Sequence, residues 1–297
     1  MKRILLFILL CSQLAFAQEP GPKILVVTAH PDDESAFAAA IYKITHDLNG
    51  KVDIAVVTNG EGGYKYSTLA ESIYGLELTD EKVGRENLPG IRKRELLAAG
   101  NVIGVRNIYF LDQFDKEYTL NVDSVLKYQW DVPYVKRRIA EILERGSYDY
   151  VFVHLPVAGT HGAHKGATLM ALETVNALDR SRRPVILGAS IEGYSNVPVD
   201  TFTVLKGFPI TAVRAGAPSF TFDRSQKFGF RDRLDYRIVV NWLIAEHKSQ
   251  GTMQMGVSTG AEKEQYWYFD INDPARKAAT QALFDRLAVN THPARQY

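Results

Sequence analysis

The chain has 297 residues, 46% apolar and 23% charged. This composition excludes disorder and collagen-like structure and allows one large domain or two small ones. Lys and Arg number 35 against 34 Asp and Glu, so no basic excess points to nucleic acid.

The first segment reads as a processing signal rather than as structure. Lys2 and Arg3 give a positive start, Ile4 to Leu10 an apolar core, and Ala15-Phe16-Ala17 an A-x-A end. The apolar stretch is too short to span a bilayer. Cleavage after Ala17 predicts an exported protein, periplasmic or secreted, with 18–297 as a single mature domain. It also removes Cys11, the one cysteine, so the mature chain needs no disulfide. Leu10 stands where a lipid-anchor signal has a small residue.

Strand and helix patterns then alternate. Strands are predicted over 23–28, 52–58, 107–111, 148–154 and 185–189, and helices over 33–48, 91–104, 133–144 and 162–178. Such alternation predicts an α/β fold with a doubly wound, mostly parallel, Rossmann-like sheet covered by helices on both faces. A long Gly- and Tyr-rich connection fills 60–90; loops of that length are commonly functional. The core ends near residue 190, and 191–297 forms a C-terminal β/α elaboration. In it 201–205 is the clearest strand, 225–247 a helix and 274–287 a last helix.

Two clusters carry chemistry. Ala29-His30-Pro31-Asp32-Asp33-Glu34 follows the first strand and opens the first helix, at the sheet edge where open α/β folds place their ligands. An acidic helix start alone accounts for the carboxylates but not for His30. Imidazole and carboxylates crowded together suit a divalent cation, zinc foremost; His and Asp also accept ferrous iron. The second cluster, Gly159-Thr160-His161-Gly162-Ala163-His164, follows the fourth strand at the same kind of position. His30, Asp33 and one imidazole of the second cluster make three protein ligands. That number leaves a coordination position open, as in catalytic zinc sites. Asp32 is then free to act as a base.

These residues resemble the PIG-L/LmbE-like zinc-dependent de-N-acetylases. The likeness runs over about 23–190. It includes A-H-P-D-D-E at 29–34, H-x-x-H at 161–164 and the Thr58–Gly63 turn. Arg92 with Glu95 and Phe110-Leu111 with Asp115 extend it. The resemblance implies an LmbE-like catalytic domain that removes an N-acetyl group from an amino sugar or glycoconjugate, by attack of zinc-bound water activated by Asp32. By position, His30, Asp33 and His164 are implied as metal ligands. Asp32 is implied as general base and His161 as the group that polarises the carbonyl. Arg92 and Asp115 are implied as substrate contacts, and Glu34 as a second-sphere residue orienting a ligand. Many relatives carry aspartate where this chain has Ala163. The sequence leaves open whether Asp32 or His161 protonates the leaving amine. Rival readings are a metal-dependent carbohydrate esterase, a phosphoesterase, which lacks ligands for a second ion, and a non-catalytic carbohydrate-binding relative, to which a free base would add nothing. His154 suits a strand-end core position or the pocket equally; His46, His247 and His292 read as structural or exposed.

Overall fold

Apolar runs of β-branched residues build the centre of one sheet. In the computed structural model, which describes residues 21–191, 201–255 and 262–292, the elements run β1 (Lys23–Thr28), α1 (Ala38–His46), β2 (Lys51–Thr58), α2 (Glu71–Tyr74), α3 (Glu81–Val102), β3 (Asn107–Gln113), α4 (Val122–Tyr128), α5 (Val132–Gly146), β4 (Tyr150–His154), α6 (Gly162–Ala177) and β5 (Val185–Ile191). They continue with β6 (Phe220–Asp223), β7 (Lys227–Phe228), β8 (Leu234–Asp235), α7 (Arg237–Glu246), α8 (Gly251–Gln254), β9 (Lys263–Tyr268) and α9 (Lys277–Ala288). The predicted leader and its cleavage point lie outside the described residues.

Seven strands form the main sheet in the order β3-β2-β1-β4-β5-β9-β6. β1 to β5 are parallel, with Ile24 beside Val52 on one side and Tyr150 on the other. β9 runs antiparallel to β5, and β6 antiparallel to β9. The chain winds outward from β1 to β3, then crosses to β4 and β5. The strand order therefore reverses between β1 and β4, and a crevice opens beyond their carboxyl ends.

Successive side chains of a strand face opposite sides, and β1 feeds both cores. Ile24 and Val26 pack with Phe37, Ile41, Phe152, Leu243 and Tyr266. Leu25 and Val27 pack with Ile139, Leu169, Leu172 and Trp267. Both faces of β1 are dry, so its sequence is a continuous apolar run rather than an alternating one.

Five predicted elements change shape. The helix expected over 33–48 opens with a tight 3-10 turn, Asp33–Phe37, before α1. The helix expected at 91–104 is α3, 22 residues long. It starts at Glu81, capped by the Asp80 carboxylate accepting from Val83 N at 2.9 Å, and passes through Pro89, ahead of the predicted start. The 60–90 connection is accordingly shorter and carries 3-10 turns at Glu61–Tyr66 and Thr68–Ala70 and the helix α2. Residues 201–205 form no strand; only an isolated bridge joins Leu205 to Phe208. The 225–247 segment is helical only as α7, after the β7–β8 hairpin.

The C-terminal residues are not an appendage. Glu264 of β9 is fully buried, and its carboxylate accepts from Ala39 N (2.9 Å) and Ala40 N (3.2 Å) at the start of α1. An anion there satisfies free helix amides and the helix dipole. Arg224 donates to the same carboxylate at 2.9 Å and to Ser35 O at 2.6 Å. The last part of the chain thus clamps the turn that carries His30 to Glu34.

Candidate active site

The crevice is a cavity of about 470 Å³, a usual size for a small-molecule site. His30, Asp32, Asp33, Asp115, His154, His161 and His164 line it, from the ends of β1, β3 and β4 and the start of α6. The spacing of the two clusters in sequence is closed by the topology alone: β1 and β4 are neighbours.

His164 lies between the other two expected ligands. His164 Nε2 lies 3.0 Å from Asp33 Oδ1 and 3.2 Å from His30 Nδ1. His30 Nδ1 lies 3.6 Å from the other Asp33 oxygen. Donors about 2.0–2.1 Å from a tetrahedral zinc are about 3.4 Å apart; the donor atoms of His30, His161 and His164 all lie within 4.8 Å of one another, and Asp33 joins them through His164. The second oxygen of Asp33 is tied down by Ala29 N (2.9 Å) and His30 N (2.8 Å), which aims the first. Thr160 Oγ1, 3.3 Å from His164 Nδ1, holds the far side of that ring.

The electrostatics also ask for a cation. Burial opposes charge on His30, yet Asp115 and then Asp33 outweigh it and hold the imidazole up to about 10. Burial likewise disfavours the charge of Asp33, but His164 and His30 keep its carboxyl well below the carboxylate range. His154 and His161 go the other way. Desolvation, with positive neighbours, pushes them down to about 4 and about 3, so both are neutral at pH 7. His154 stacks on His164 at 4.7 Å and, with Asp33 and His164, forms a second overlapping group of donors. His161 stacks on His30 at 5.0 Å and on the exposed ring of Tyr118 at 4.8 Å.

Asp32 stands apart from the three ligands. Its backbone has φ 141°, a region that non-glycine residues avoid. Arg92 Nη2 is 3.0 Å from its carboxylate. Desolvation raises the Asp32 pKa and Arg92 works against that rise. The other contacts of Arg92 are Gly60 O at 2.5 Å and Pro31 O at 2.6 Å. Gly60 has φ 70°, and a Cβ there would sit 2.1 Å from Arg92 Nη1. That turn needs glycine for both conformation and space.

The three residues expected at the periphery have particular places. Arg92, almost fully buried, clamps Asp32 and the two backbone carbonyls. Asp115 is buried with an oxygen 3.7 Å from His30 Nε2, behind the ring rather than across the cavity from it. Glu34 touches no ligand side chain. Its oxygens face Asp32 N at 3.0 Å and His247 Nε2 at 2.5 Å. His247, expected to be structural or exposed, is buried at the end of α7. Nothing around it in the sequence marks it, since its partner is 213 residues away. Glu95 accepts from Tyr74 OH (2.8 Å) and from Ser249 Oγ (2.6 Å), fastening α3 to the segment after α7.

Residues 25–175 match the family described as PIG-L: GlcNAc-PI de-N-acetylase. A curated relative from Bacillus cereus, named "Probable N-acetyl-alpha-D-glucosaminyl L-malate deacetylase 2", is 27% identical over 168 residues, covering 57% of this chain and 67% of its own. Among solved structures, a deacetylase of the teicoplanin biosynthesis pathway aligns over 84% of this chain and 98% of its own at 18% identity, TM-score 0.55. The 4-carboxy-2-hydroxymuconate hydratase GalB of Pseudomonas putida KT2440 aligns over 84% and 96% at 14% identity, TM-score 0.53. These likenesses show the fold; one fold holding a deacetylase and a hydratase leaves the reaction to be argued from the site. The family match spans the strands and turns that bring His30, Asp33 and His164 together, and the chain is a member of the PIG-L family.

Proposed function

We propose that this protein is a zinc-dependent N-deacetylase, a hydrolase that removes an acetyl group from an N-acetylated amino sugar or glycoconjugate. The observation that supports this reading is that His164 lies 3.0 Å from Asp33 and 3.2 Å from His30, with a further carboxylate, Asp32, lining the same cavity. The family match and the named activity of the Bacillus cereus relative point to the same bond.

His30 Nδ1, Asp33 Oδ1 and His164 Nε2 would hold the ion. What zinc supplies when bound is Lewis acidity, which polarises the acyl carbonyl and acidifies water. Asp32 takes the proton of the attacking water. Burial, which raises its pKa, makes it a better base than an exposed aspartate. Arg92 keeps that carboxylate at one place through the reaction. His161, a neutral ring over His30, donates a hydrogen bond to the oxygen that becomes negative as the carbonyl is attacked. Tyr118 on its outer face limits how that ring turns.

The test is acetate release from N-acetylglucosamine glycosides, with O-acetyl sugars in parallel. The zinc-loaded protein is expected to release acetate from the amides, to lose that activity in EDTA and to regain it with zinc. Turnover of the esters alone would move the protein to the esterase class, and binding without turnover to the non-catalytic one. Export after cleavage at Ala17 belongs to the same reading. It rests on the sequence pattern, and N-terminal sequencing of the mature protein, expected to begin at Gln18, checks it.

A further inference from the structure

We propose that His247, far outside the family match, is a positioning residue that acts through Glu34 to hold the backbone of Asp32 in its catalytic place. The proposal rests on the deacetylase reading for its kinetic consequence, but not for its geometry. Asp32 has φ 141° and ψ −19°. A non-glycine residue in such a conformation is strained and persists only where its surroundings impose it. Beside the backbone bond from Ser35 N–H to Asp32 O (3.2 Å), two side-chain contacts impose it here. Arg92 holds the side chain at 3.0 Å, and Glu34 Oε2 accepts from the main-chain N–H at 3.0 Å.

Glu34 can do this only while its carboxylate is an acceptor fixed in direction. It is 1% exposed, so solvent does not orient it. Its other oxygen lies 2.5 Å from His247 Nε2, a distance at which a proton lies between the two atoms and Nε2 donates. His247 is 0% exposed. The end of α7 fixes it, through its N–H to Ile244 O (3.1 Å) and its carbonyl, which accepts from Gln254 Nε2 (3.0 Å). Without that donor, Glu34 is a buried carboxylate with one partner lost. It then turns away, and the Asp32 amide loses its acceptor. A base displaced by about 1 Å costs up to about 100-fold in rate.

The experiment uses the full chain loaded with zinc and three variants. His247→Phe keeps ring volume without a donor, His247→Leu is the alternative where Phe does not fit, and His247→Gln puts an amide donor near the Nε2 position. The donor-free variants are expected to lower kcat about 10- to 100-fold, with KM and zinc content unchanged and the ¹⁵N–¹H cross-peak of Asp32 shifted. His247→Gln is expected to return both kcat and the cross-peak toward wild type. A donor-free variant with wild-type kcat, or with the Asp32 cross-peak unmoved, overturns the proposal. So does a loss of kcat that His247→Gln fails to rescue. Absence of deacetylation by the wild type would instead remove the proposed function, while the cross-peak still decides whether His247 positions Asp32.

Discussion

Asp32 and Asp33 are neighbours with opposite assignments, and the reason is local. Asp33 has its second oxygen pinned by two backbone amides and its first beside His164, which suits the proposed ligand role. Asp32, turned away by its positive φ, has Arg92 at its carboxylate and Glu34 at its amide. Asp32→Asn is expected to keep one zinc per chain and to lose about 10²- to 10⁴-fold in kcat. Metal analysis beside a turnover assay checks it, and wild-type turnover in the variant would take the base role from Asp32. His164→Ala removes the donor that both His30 and Asp33 face, and is expected to fall well below one zinc per chain after dialysis. A full equivalent in that variant would exclude His164 as a ligand. The residues of these two motifs were legible because each sits in a short, dense run at a strand end. His247 was not, because a lone histidine says nothing about a carboxylate 213 positions earlier. Ala163 stands where many relatives carry aspartate, and in this chain Tyr118 and His30 sandwich the His161 ring.

At the scale of elements, the sheet was readable where burial is two-sided and unreadable where polar groups are buried for structural reasons. β1, β2 and β4 are apolar runs and their predicted positions hold to within two residues. β9, Lys263–Tyr268, carries Lys, Glu and Gln in its first half and passes for a surface segment. Its Glu264 is in fact the anion that caps α1 and binds Arg224. α3 starts at Glu81 rather than at the predicted residue 91 and runs through Pro89 and Gly90. Glu264→Ala would leave Arg224 buried without its carboxylate and the α1 amides without an acceptor. Breaking a buried charge pair from one side typically costs about 3–5 kcal/mol. The variant is expected to unfold at a clearly lower temperature, with Arg224→Met, Glu264→Met milder than Glu264→Ala alone. A single variant as stable as wild type in thermal denaturation would show that this clamp carries little of the stability.

For the whole molecule, the family-matched region and the C-terminal residues share one sheet and one core. β5 pairs with β4 on one side and with β9 on the other. Tyr266 and Leu243 pack into the same cluster as Phe37 and Phe152. Glu264 of β9 reaches the start of α1, and His247 at the end of α7 reaches Glu34. A chain stopped at residue 191 would expose the seven-residue edge of β5, an invitation to pairing between molecules, and would strip the cover from one face of the core. That fragment is expected to aggregate rather than fold. The 18–297 chain is expected to unfold in calorimetry as one cooperative transition, because no part of it closes its core alone. A ligand held only by the folded state adds about 4 kcal/mol at a thousand times its Kd, so zinc is expected to move that transition upward as a single peak. Two resolved transitions, with only the earlier or only the later one sensitive to zinc, would mean that the site belongs to one part of the chain and that the clamp from β9 and α7 does not couple the two.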